Sequence, residues 1–390
     1  MFTQAQKAII HATVPLLESK GETLARHFYA LMFETHPEVR ALFNQTHQAT
    51  GDQARALANS VLMYARHIDD LSPLTPLVSR IVNKHVALHI LPEHYPIVGS
   101  CLLQSIREVL GADVATDEVV QAWRVAYQQL ADLLIGKEEQ CYEHNAAQPG
   151  GWRGMRRFRI ERIEEESQEV RSLTLVPSDG GLVLRYPAGH YIGVRLIIEG
   201  EEVRRHYSIS NRADGRTLRI TVKHVPDGIA SGYLHEREVG DELDIFPPAG
   251  DFVLKNDKAP VVLLTAGIGI TPAVPLLEEA LDQQRRVHFL HATRNSQTLT
   301  FGAILAQQAA LHHKMSLKLC FSQPLADDSP DAIGHIDSHC LRVWLPDDSA
   351  FHVYLLGPTG FMANMKSLLE AQGVTDDRIH YECFGPHKPL

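Results

Sequence analysis

The amino-acid sequence predicts a chain of three domains: an all-α domain at residues 1–147, an antiparallel β-barrel at 151–256 and a doubly wound α/β domain at 257–390. Three observations support this division. Apolar residues recur with the period of an α-helix through the first third, short alternating runs follow the loop NAAQPGG, and continuous apolar runs begin at Ala259. The fold class is therefore multidomain, and each domain belongs to a different structural class.

The first domain contains periodic apolar segments, each with the length of an ordinary helix. Proline-containing pairs, at which a helix ends easily, separate several of them at His36-Pro37, Ser72-Pro73 and Leu91-Pro92. The predicted helices cover residues 4–19, 22–34, 52–67, 76–89, 94–110 and 117–142.

The second and third domains differ in the character of their predicted strands. In the runs of the second domain, apolar and polar residues alternate or β-branched residues are frequent, which is typical of antiparallel strands. The runs are FRIERIEEE, VRSLTLVP, HYIGVRLIIEG, RHYSIS, LRITVKHV and DELDIFPP. Runs of the third domain are continuously apolar and alternate with helical segments such as 273–284, which indicates parallel strands buried on both faces: APVVLLTAG, VHFLHAT, SLKLCFS and FHVYLLGP.

Composition narrows the functional classes. The chain has 390 residues, of which 44% are hydrophobic and 22% charged, as in an ordinary globular protein. A formal charge of −10 without a long basic run argues against nucleic acid or an anionic membrane surface as partner and favours small-molecule chemistry. The sequence shows neither a signal-peptide pattern nor a transmembrane segment, and its five scattered cysteines suggest no disulfide framework, so a reducing cytoplasm is the expected location.

The stretch IVNKHVALHI places two imidazoles, His85 and His89, one turn apart on an apolar helix. A helix is predicted from Pro76 to about His89, and His85 lies near the middle of its apolar stripe. A buried imidazole either forms hydrogen bonds or ligates a metal. This pattern alone favours a hydrogen-bonded core histidine over a metal ligand. The predicted stripe consists of Leu77, Val78, Ile81, Val82 and Leu88.

Two motifs of the barrel domain, RHYSIS and GIASGYL, indicate a bound nucleotide with a planar ring. Arg205 is suited to pair with a phosphate, Tyr207 to lie on a planar ring, and Ser208 to reach ring heteroatoms. Gly228 lets the chain approach closely, and Ser231 is expected to open a short helix whose N-terminus favours a pyrophosphate.

Two further motifs lie at strand ends of the third domain. TAGIGITP follows an apolar strand and leads into a predicted helix, and LLGPTGFM repeats this arrangement on a later strand. Gly267 and Gly269 permit a tight turn, and Thr271 and Pro272 form a suitable helix start. A glycine pair by itself is a weak signal, but two such turns facing one crevice favour a dinucleotide site.

RHYSIS, AGIGITP, LLGPTGF and the terminal YECFGPHK resemble the flavin and nicotinamide motifs of the ferredoxin-reductase-like module. The helical first third resembles a globin. Together they resemble the flavohemoglobins from end to end, which implies a globin domain, an FAD-binding β-barrel and an NAD(P)-binding α/β domain. The implied cofactors are heme b, FAD and NAD(P)H.

The resemblance reverses the interpretation of His85, which matches the proximal heme ligand and would be the metal-binding residue, with Lys84 before it. Tyr95 and Glu138 match the pair that hydrogen-bonds the proximal imidazole, although Glu139 remains a rival because the register between motifs can shift by one residue. The other heme-site residues that the resemblance implies are Phe43 after the early helices, distal Tyr29, Gln53 in the distal helix, and Leu57 as a cap of the pocket.

In the reductase part, the resemblance implies that Phe384 shields the flavin and that Glu382 sits between flavin and heme. Two positions depart from the family pattern: Ile270 replaces a polar residue and Leu356 replaces a cysteine, and both bear on how the nicotinamide is held. The implied flavin contacts are Tyr191, Arg205, His206, Tyr207, Ser208, Cys383, Phe384, Gly385 and Pro386. Gly228, Ser231 and Glu382 complete the predicted cofactor-binding residues of this part. The implied nicotinamide-nucleotide loop is Gly267, Ile268, Gly269, Ile270, Thr271 and Pro272.

The resemblance implies a nitric oxide dioxygenase, an oxidoreductase that converts NO and O2 to nitrate at a heme reduced by NAD(P)H through FAD. Two alternatives stay open: an oxygen or NO sensor or store with an attached ferric reductase, and a heme-dependent reductase of alkyl hydroperoxides or lipids, with a lipid in the distal pocket. A monomer is expected. The sequence does not separate NADH from NADPH; Arg294 is suited to meet a 2′-phosphate, but an ordinary surface arginine is the favoured interpretation.

Overall fold

The structure is a computed structural model that describes residues 2–43, 51–347 and 350–385. Its contacts divide the chain into two compact units. The first holds the chain up to Ala147 together with Glu199–Arg205, and the second holds Gln148–Ile198 and the chain from His206 onward.

The part of the first unit that ends at Ala147 is helical, as predicted. Its long first helix begins with a capping box, because the Thr3 hydroxyl accepts from the Gln6 amide and the Gln6 side chain accepts from the Thr3 amide. Short 3₁₀ helices at Pro37–Leu42 and Ser72–Leu74 lie where proline pairs predict helix ends. The helices are α1 (Gln4–Thr35), α2 (Asp52–Arg66), α3 (Thr75–Leu88), α4 (His94–Leu110) and α5 (Asp117–Ala147).

Helix α1 corrects one sequence-based expectation, which had separate segments at 4–19 and 22–34. The helix runs through Gly21, which is buried. A Cβ added at Gly21 would lie 3.4 Å from the Cβ of Ala58 on α2, so two small residues face each other where the helices pack. An interior glycine costs a helix about 1 kcal/mol, which the packing of a long apolar helix readily outweighs.

The second domain is a six-stranded antiparallel sheet in the order β4-β3-β6-β1-β2-β5. The chain just after β4 forms a bridge between Ile209 and Ile220 of β5, which joins the two edge strands and closes the sheet in the manner of a barrel. The short helix α6 (Ile229–His235) follows β5. The strands are β1 (Arg156–Ser167), β2 (Val170–Pro177), β3 (Tyr191–Ile198), β4 (Glu201–Ser208), β5 (Leu218–Lys223) and β6 (Glu242–Ile245).

The third domain is a six-stranded parallel sheet. Its strands are β7 (Val261–Ala266), β8 (Val287–Thr293), β9 (Met315–Phe321), β10 (Ala332–Ile333), β11 (His352–Leu356) and β12 (Ile379–Tyr381). Its helices are α7 (Ala273–Asp282), α8 (Gly302–Leu311), α9 (Ser338–Trp344) and α10 (Thr359–Ala371).

The order β10-β9-β8-β7-β11-β12 confirms the doubly wound prediction. Every residue of β7 is buried, and alternate residues enter two separate apolar clusters: Val261 and Leu263 join one, and Val262 and Leu264 join the other. The strand order reverses between β7 and β11, the place where ligands bind in sheets of this kind.

Candidate functional site

His85 lies in the last turn of α3, beside rather than within the buried face of that helix. Its side chain is 31% exposed, so the structure does not make it a core histidine. The buried residues of α3 are Val78, Val82, Val86 and Ala87. The other members of the predicted stripe are half-buried: Leu77, Ile81 and Leu88.

Two polar side chains from other helices hold the Nδ1 atom of His85. Glu138 on α5 places its Oε1 atom 2.7 Å from Nδ1, and the hydroxyl of Tyr95 on α4 lies 3.2 Å from Nδ1. The Tyr95 hydroxyl also donates to the same Oε1 atom at 2.7 Å. A carboxylate accepts hydrogen bonds and cannot donate them, so this arrangement assigns the proton to Nδ1 and leaves a lone pair on Nε2.

The carboxylate beside His85 belongs to Glu138 and not to Glu139. Glu138 is 2% exposed, which is rare for a charged side chain unless it is paired. Burial and the negative charge of Glu138 raise the pKa of the Tyr95 hydroxyl far above its ordinary value, so this group stays a hydrogen-bond donor.

Two tyrosines that the sequence analysis did not single out support this cluster. The Tyr127 hydroxyl donates to the backbone carbonyl of Tyr95 at 2.6 Å, and the Tyr142 hydroxyl donates to the carbonyl of Ile90 at 2.7 Å. Both tyrosines lie on α5, 11 and 4 residues from Glu138, so they share its helix face. That spacing was the available signal in the sequence.

His89 has a backbone role. It is the C-cap of α3, with a left-handed φ of 57°, and its ring packs edge-on against Tyr142 at 5.6 Å.

Tyr29 on α1 lies inside a group of aromatic rings. Its ring centroid is 4.9 Å from that of Phe28, 5.8 Å from Phe33 and 5.6 Å from Phe43. Tyr29 is 7% exposed, and burial raises the pKa of its hydroxyl well above the ordinary value. The hydroxyl is therefore protonated at physiological pH and available as a donor in an apolar setting.

The remaining predicted heme-site residues are half-buried. Gln53 and Leu57 lie one turn apart on α2, and Lys84 precedes His85 on α3. Their contact with a heme remains a prediction.

These residues fit a heme. Within the described part of the chain, the Nε2 atom of His85 takes part in no hydrogen bond, while Nδ1 is fully engaged. In the same ranges, no cluster of three or more His, Cys, Asp or Glu side chains is arranged to hold a metal ion. A metal at His85 therefore needs further ligands from outside the protein, which a porphyrin supplies.

The residues predicted to hold the flavin are brought together by strand β4 and its neighbours. Arg205, His206, Tyr207 and Ser208 are consecutive on β4 and half-buried. Tyr191 at the start of β3 is 7% exposed, and its ring lies 5.1 Å from the His206 imidazole. A cation, flat rings and a hydroxyl on one strand fit a flavin nucleotide.

Helix α6 differs from its prediction. Ser231 was expected to open the helix, but the helix begins at Ile229 with Gly228 as its N-cap. The Ser231 hydroxyl donates to the Gly228 carbonyl at 3.1 Å and accepts from the Val225 amide at 3.2 Å, so it stabilises the turn from within. A Cβ on Gly228 would lie 2.5 Å from the Ser231 Oγ atom, so glycine here leaves room for the chain's own turn. A close approach of Gly228 to a cofactor remains a prediction.

The C-terminal motif lies near the barrel residue Tyr191. Burial, followed by the negative charges of Glu382 and Asp251, raises the pKa of the Tyr191 hydroxyl well above its ordinary value. Cys383 packs against the apolar cluster of the parallel sheet, and Phe384 is 47% exposed. The predicted contacts of Gly385 remain predictions, and Pro386 lies outside the described residues.

The loop after β7 forms a 3₁₀ turn at Gly267–Ile270. Thr271 follows this turn, and Pro272 is the N-cap of α7. Gly267 has a left-handed φ of 52°, and a Cβ at Gly269 would lie 2.6 Å from the Leu356 carbonyl oxygen. The glycines therefore allow the turns after β7 and β11 to meet, which confirms that the two glycine motifs face each other.

An open cleft of about 290 Å³ lies at the carboxyl ends of β7, β8 and β9. Gly267 and Ile268 line it, together with Arg294 and Ser322. Ile270 and Leu356, the two residues predicted to bear on how the nicotinamide is held, are fully buried and belong to one apolar cluster. Both side chains thus contribute to the same core.

Among the residues that the structure describes, no helix has both the length and the apolar character required to cross a bilayer.

Comparisons with known families divide the chain in the same order as its folds. Residues 26–134 match the globin family, 157–254 the oxidoreductase FAD-binding domain and 263–367 the oxidoreductase NAD-binding domain. A flavohemoprotein of Pseudomonas aeruginosa is 54% identical over 391 residues, with 100% of both chains covered.

Two solved structures are also similar. A flavohemoglobin of Malassezia yamatoensis with bound FAD and heme has a TM-score of 0.87 at 29% identity and covers 98% of this chain and 99% of its own. The flavohem-like FAD/NAD-binding domain of a nitric oxide dioxygenase from Vibrio cholerae has a TM-score of 0.56 at 36% identity and covers 60% of this chain and 100% of its own.

A globin domain and a flavin- and nicotinamide-dependent reductase in one chain define a class of oxidoreductase with three cofactors: heme, FAD and NAD(P)H. The similarity extends over the full length of the chain. The chain belongs to the flavohemoprotein family.

Proposed function

We propose that the chain is a nitric oxide dioxygenase that converts NO and O2 to nitrate, with electrons passed from NAD(P)H through FAD to heme, and that it protects the cell against nitrosative stress. The family and the Vibrio cholerae dioxygenase domain, at 36% identity, support this proposal. The observation that carries it is the buried Glu138 carboxylate, 2.7 Å from Nδ1 of His85.

Glu138 holds a proton at Nδ1 of His85 and thereby gives the ring partial imidazolate character. This increases the electron density that Nε2 offers to a bound iron, which favours oxygen activation over reversible storage. Tyr95 donates to the same carboxylate oxygen and fixes its orientation. A simple oxygen store has no need of such a pair.

When bound, FAD divides the hydride electron pair of NAD(P)H into single electrons, and heme iron accepts them and binds diatomic gases. We assign Tyr29 to the gas pocket, where its protonated hydroxyl donates a hydrogen bond to the diatomic substrate. The apolar rings around Tyr29 exclude water and strengthen that bond.

The test measures NO consumption by the heme- and FAD-loaded protein with NADH, in air and under argon. The proposal expects oxygen to accelerate the consumption, with nitrate as the product. Consumption that is independent of oxygen would contradict it and favour a sensor or store.

The variant His85→Ala separates a heme-dependent enzyme from a reductase that serves another acceptor. We expect it to reduce oxygen-dependent NO consumption on the order of 100-fold, because the only proposed protein ligand of the iron is lost. Reduction of ferricyanide by NADH, which needs flavin but not heme, should be retained.

The matched control is His89→Asn, because asparagine tolerates the left-handed backbone at this position, where φ is 57°. NO consumption that persists in His85→Ala would favour a reductase directed to a different acceptor.

A further inference from the structure

The nucleotide cleft at the carboxyl ends of β7 to β9 contains a carboxylate bonded to two cations. Glu169, in the two-residue turn between β1 and β2, lines the cleft together with Lys223 and Arg294. Its Oε1 atom accepts from the Lys223 ammonium at 2.8 Å, and its Oε2 atom accepts from the Arg294 guanidinium at 2.5 Å. One carboxylate is thus paired with both Lys223 and Arg294.

Hydrogen bonds of the turn hold Glu169 in place. Its carbonyl accepts from the His224 amide at 2.7 Å, next to Lys223 at the end of β5. The neighbouring Gln168 donates through its amide to the Gln297 carbonyl at 3.1 Å and through its side chain to the Gln297 Oε1 atom at 2.7 Å. The turn is therefore tied both to the barrel and to the loop after β8.

Glu169 is ionised at physiological pH. Partial burial by itself would raise the pKa of its carboxyl group, but the hydrogen bonds and positive charges of Lys223 and Arg294 outweigh burial and lower the pKa below its ordinary value.

The two cations remain within reach of solvent. The Lys223 side chain is 36% exposed and the Arg294 side chain 49% exposed. They line the same cleft as Gly267 and Ile268 of the nucleotide loop. Guanidinium and ammonium groups bind phosphate oxygens with the same donors that they offer to a carboxylate.

We propose that Glu169 is a built-in competitor for the phosphate groups of NAD(P)H: its carboxylate occupies Lys223 and Arg294 in the free protein, and a phosphate of the nucleotide displaces it. This inference rests on the nucleotide-binding role proposed above and concerns hydride donation only. It does not depend on the reaction at the heme.

The displacing phosphate has two sources. The pyrophosphate is common to NADH and NADPH, whereas the 2′-phosphate is present in NADPH alone. Both groups present anionic oxygens to the same two cations. Because only NADPH carries the 2′-phosphate, a comparison of NADH with NADPH distinguishes the two sources.

The experiment compares the FAD-loaded full chain with its Glu169→Gln variant by steady-state reduction of ferricyanide, which bypasses heme and NO. Glutamine keeps the size of the side chain but removes its charge. We expect the KM for the nucleotide to fall about three- to tenfold, the effect of removing one competing ion-pair partner. An equal fall for NADH and NADPH identifies the pyrophosphate, and a fall for NADPH alone identifies the 2′-phosphate.

Glu165→Gln is the matched control. Glu165 lies on the same hairpin and pairs with Arg171 at 2.7 Å, and its side chain is 62% exposed. The KM values of this variant should equal those of the parent protein.

If Glu169→Gln leaves KM unchanged or raises it for both nucleotides, the carboxylate organises the cleft and does not compete, and the inference fails. Should that variant not fold, Glu169→Asp provides the decision: its carboxylate is one methylene shorter and competes less well for the two cations, so a lowered KM for the nucleotide supports the inference, and an unchanged or raised KM overturns it. A failure of NO dioxygenase activity would leave these ferricyanide results unaffected, so the two proposals fail separately.

Discussion

His85 in the helical unit and His291 on β8 of the parallel sheet are both held through Nδ1, yet the two imidazoles differ in their hydrogen-bond partner and in their exposure. Nδ1 of His85 lies 2.7 Å from a carboxylate, and Nδ1 of His291 lies 2.8 Å from the hydroxyl of Thr265. The His85 side chain is 31% exposed, whereas His291 is 0% exposed.

The difference separates a predicted metal ligand, His85, from a core histidine, His291. Burial lowers the pKa of His291 to about 3, so its ring is neutral and stays in the apolar interior. The Nε2 atom of His291 is buried and forms no hydrogen bond within the described ranges. A carboxylate partner at Nδ1 is typical of a metal-ligating histidine, whereas a hydroxyl partner with full burial is typical of packing.

The largest expected effect tests the His85 side of this comparison. Glu138→Gln removes the charge behind the imidazole but keeps the size of the side chain. We expect oxygen-dependent NO consumption to fall about 10- to 100-fold, because residues that orient a metal-ligating histidine typically have effects of this size.

Ferricyanide reduction by NADH serves as the internal reference for this variant and should be unchanged. Glu139→Gln, the same change one residue later, should retain NO consumption. If both variants lose activity equally, the carboxylate behind His85 has no special role.

The second effect concerns the contribution of His291 to the pH dependence of the free energy of unfolding. Its folded pKa of about 3 lies below the ordinary value of 6.5, so the unfolded chain takes up a proton first as the pH falls. His291 therefore destabilises the fold progressively below pH 6.5, by about 2 kcal/mol at pH 5. In His291→Asn, whose amide can replace Nδ1, the free energy of unfolding should fall less between about pH 7 and pH 5.

Denaturant unfolding at the two pH values measures this difference. Parallel pH dependence in parent and variant would show that the His291 ring is protonated within the fold and that the contrast with His85 is false.

The smallest effect tests the partner of His291. Thr265→Val keeps the shape of the side chain but removes the hydroxyl, and should lower the free energy of unfolding by about 1 kcal/mol, the typical net contribution of a hydrogen bond. Thr265→Ser, which retains the hydroxyl, should restore part of that loss. A valine variant more stable than the serine variant would mean that packing alone holds His291.

The sequence by itself determined the order and type of the domains, because helical, alternating and continuously apolar periodicities are local properties. Short motifs also singled out the glycine turns and His85, but the pattern around His85 alone favoured a core histidine, and only the family resemblance made His85 the expected metal ligand. The errors of the sequence-based prediction were local as well: it divided α1 at Gly21 and placed the start of α6 at Ser231.

Only the tertiary structure decided which carboxylate meets His85 and which one meets Arg294. Glu138 and Glu139 are adjacent and chemically identical, and only the packing of α5 against α3 buries one of them beside the imidazole. Glu169 and Arg294 are 125 residues apart, and no local pattern connects them. Both pairs join residues that are far apart in the sequence. They form only when long-range folding packs the helices and sheets that carry these residues.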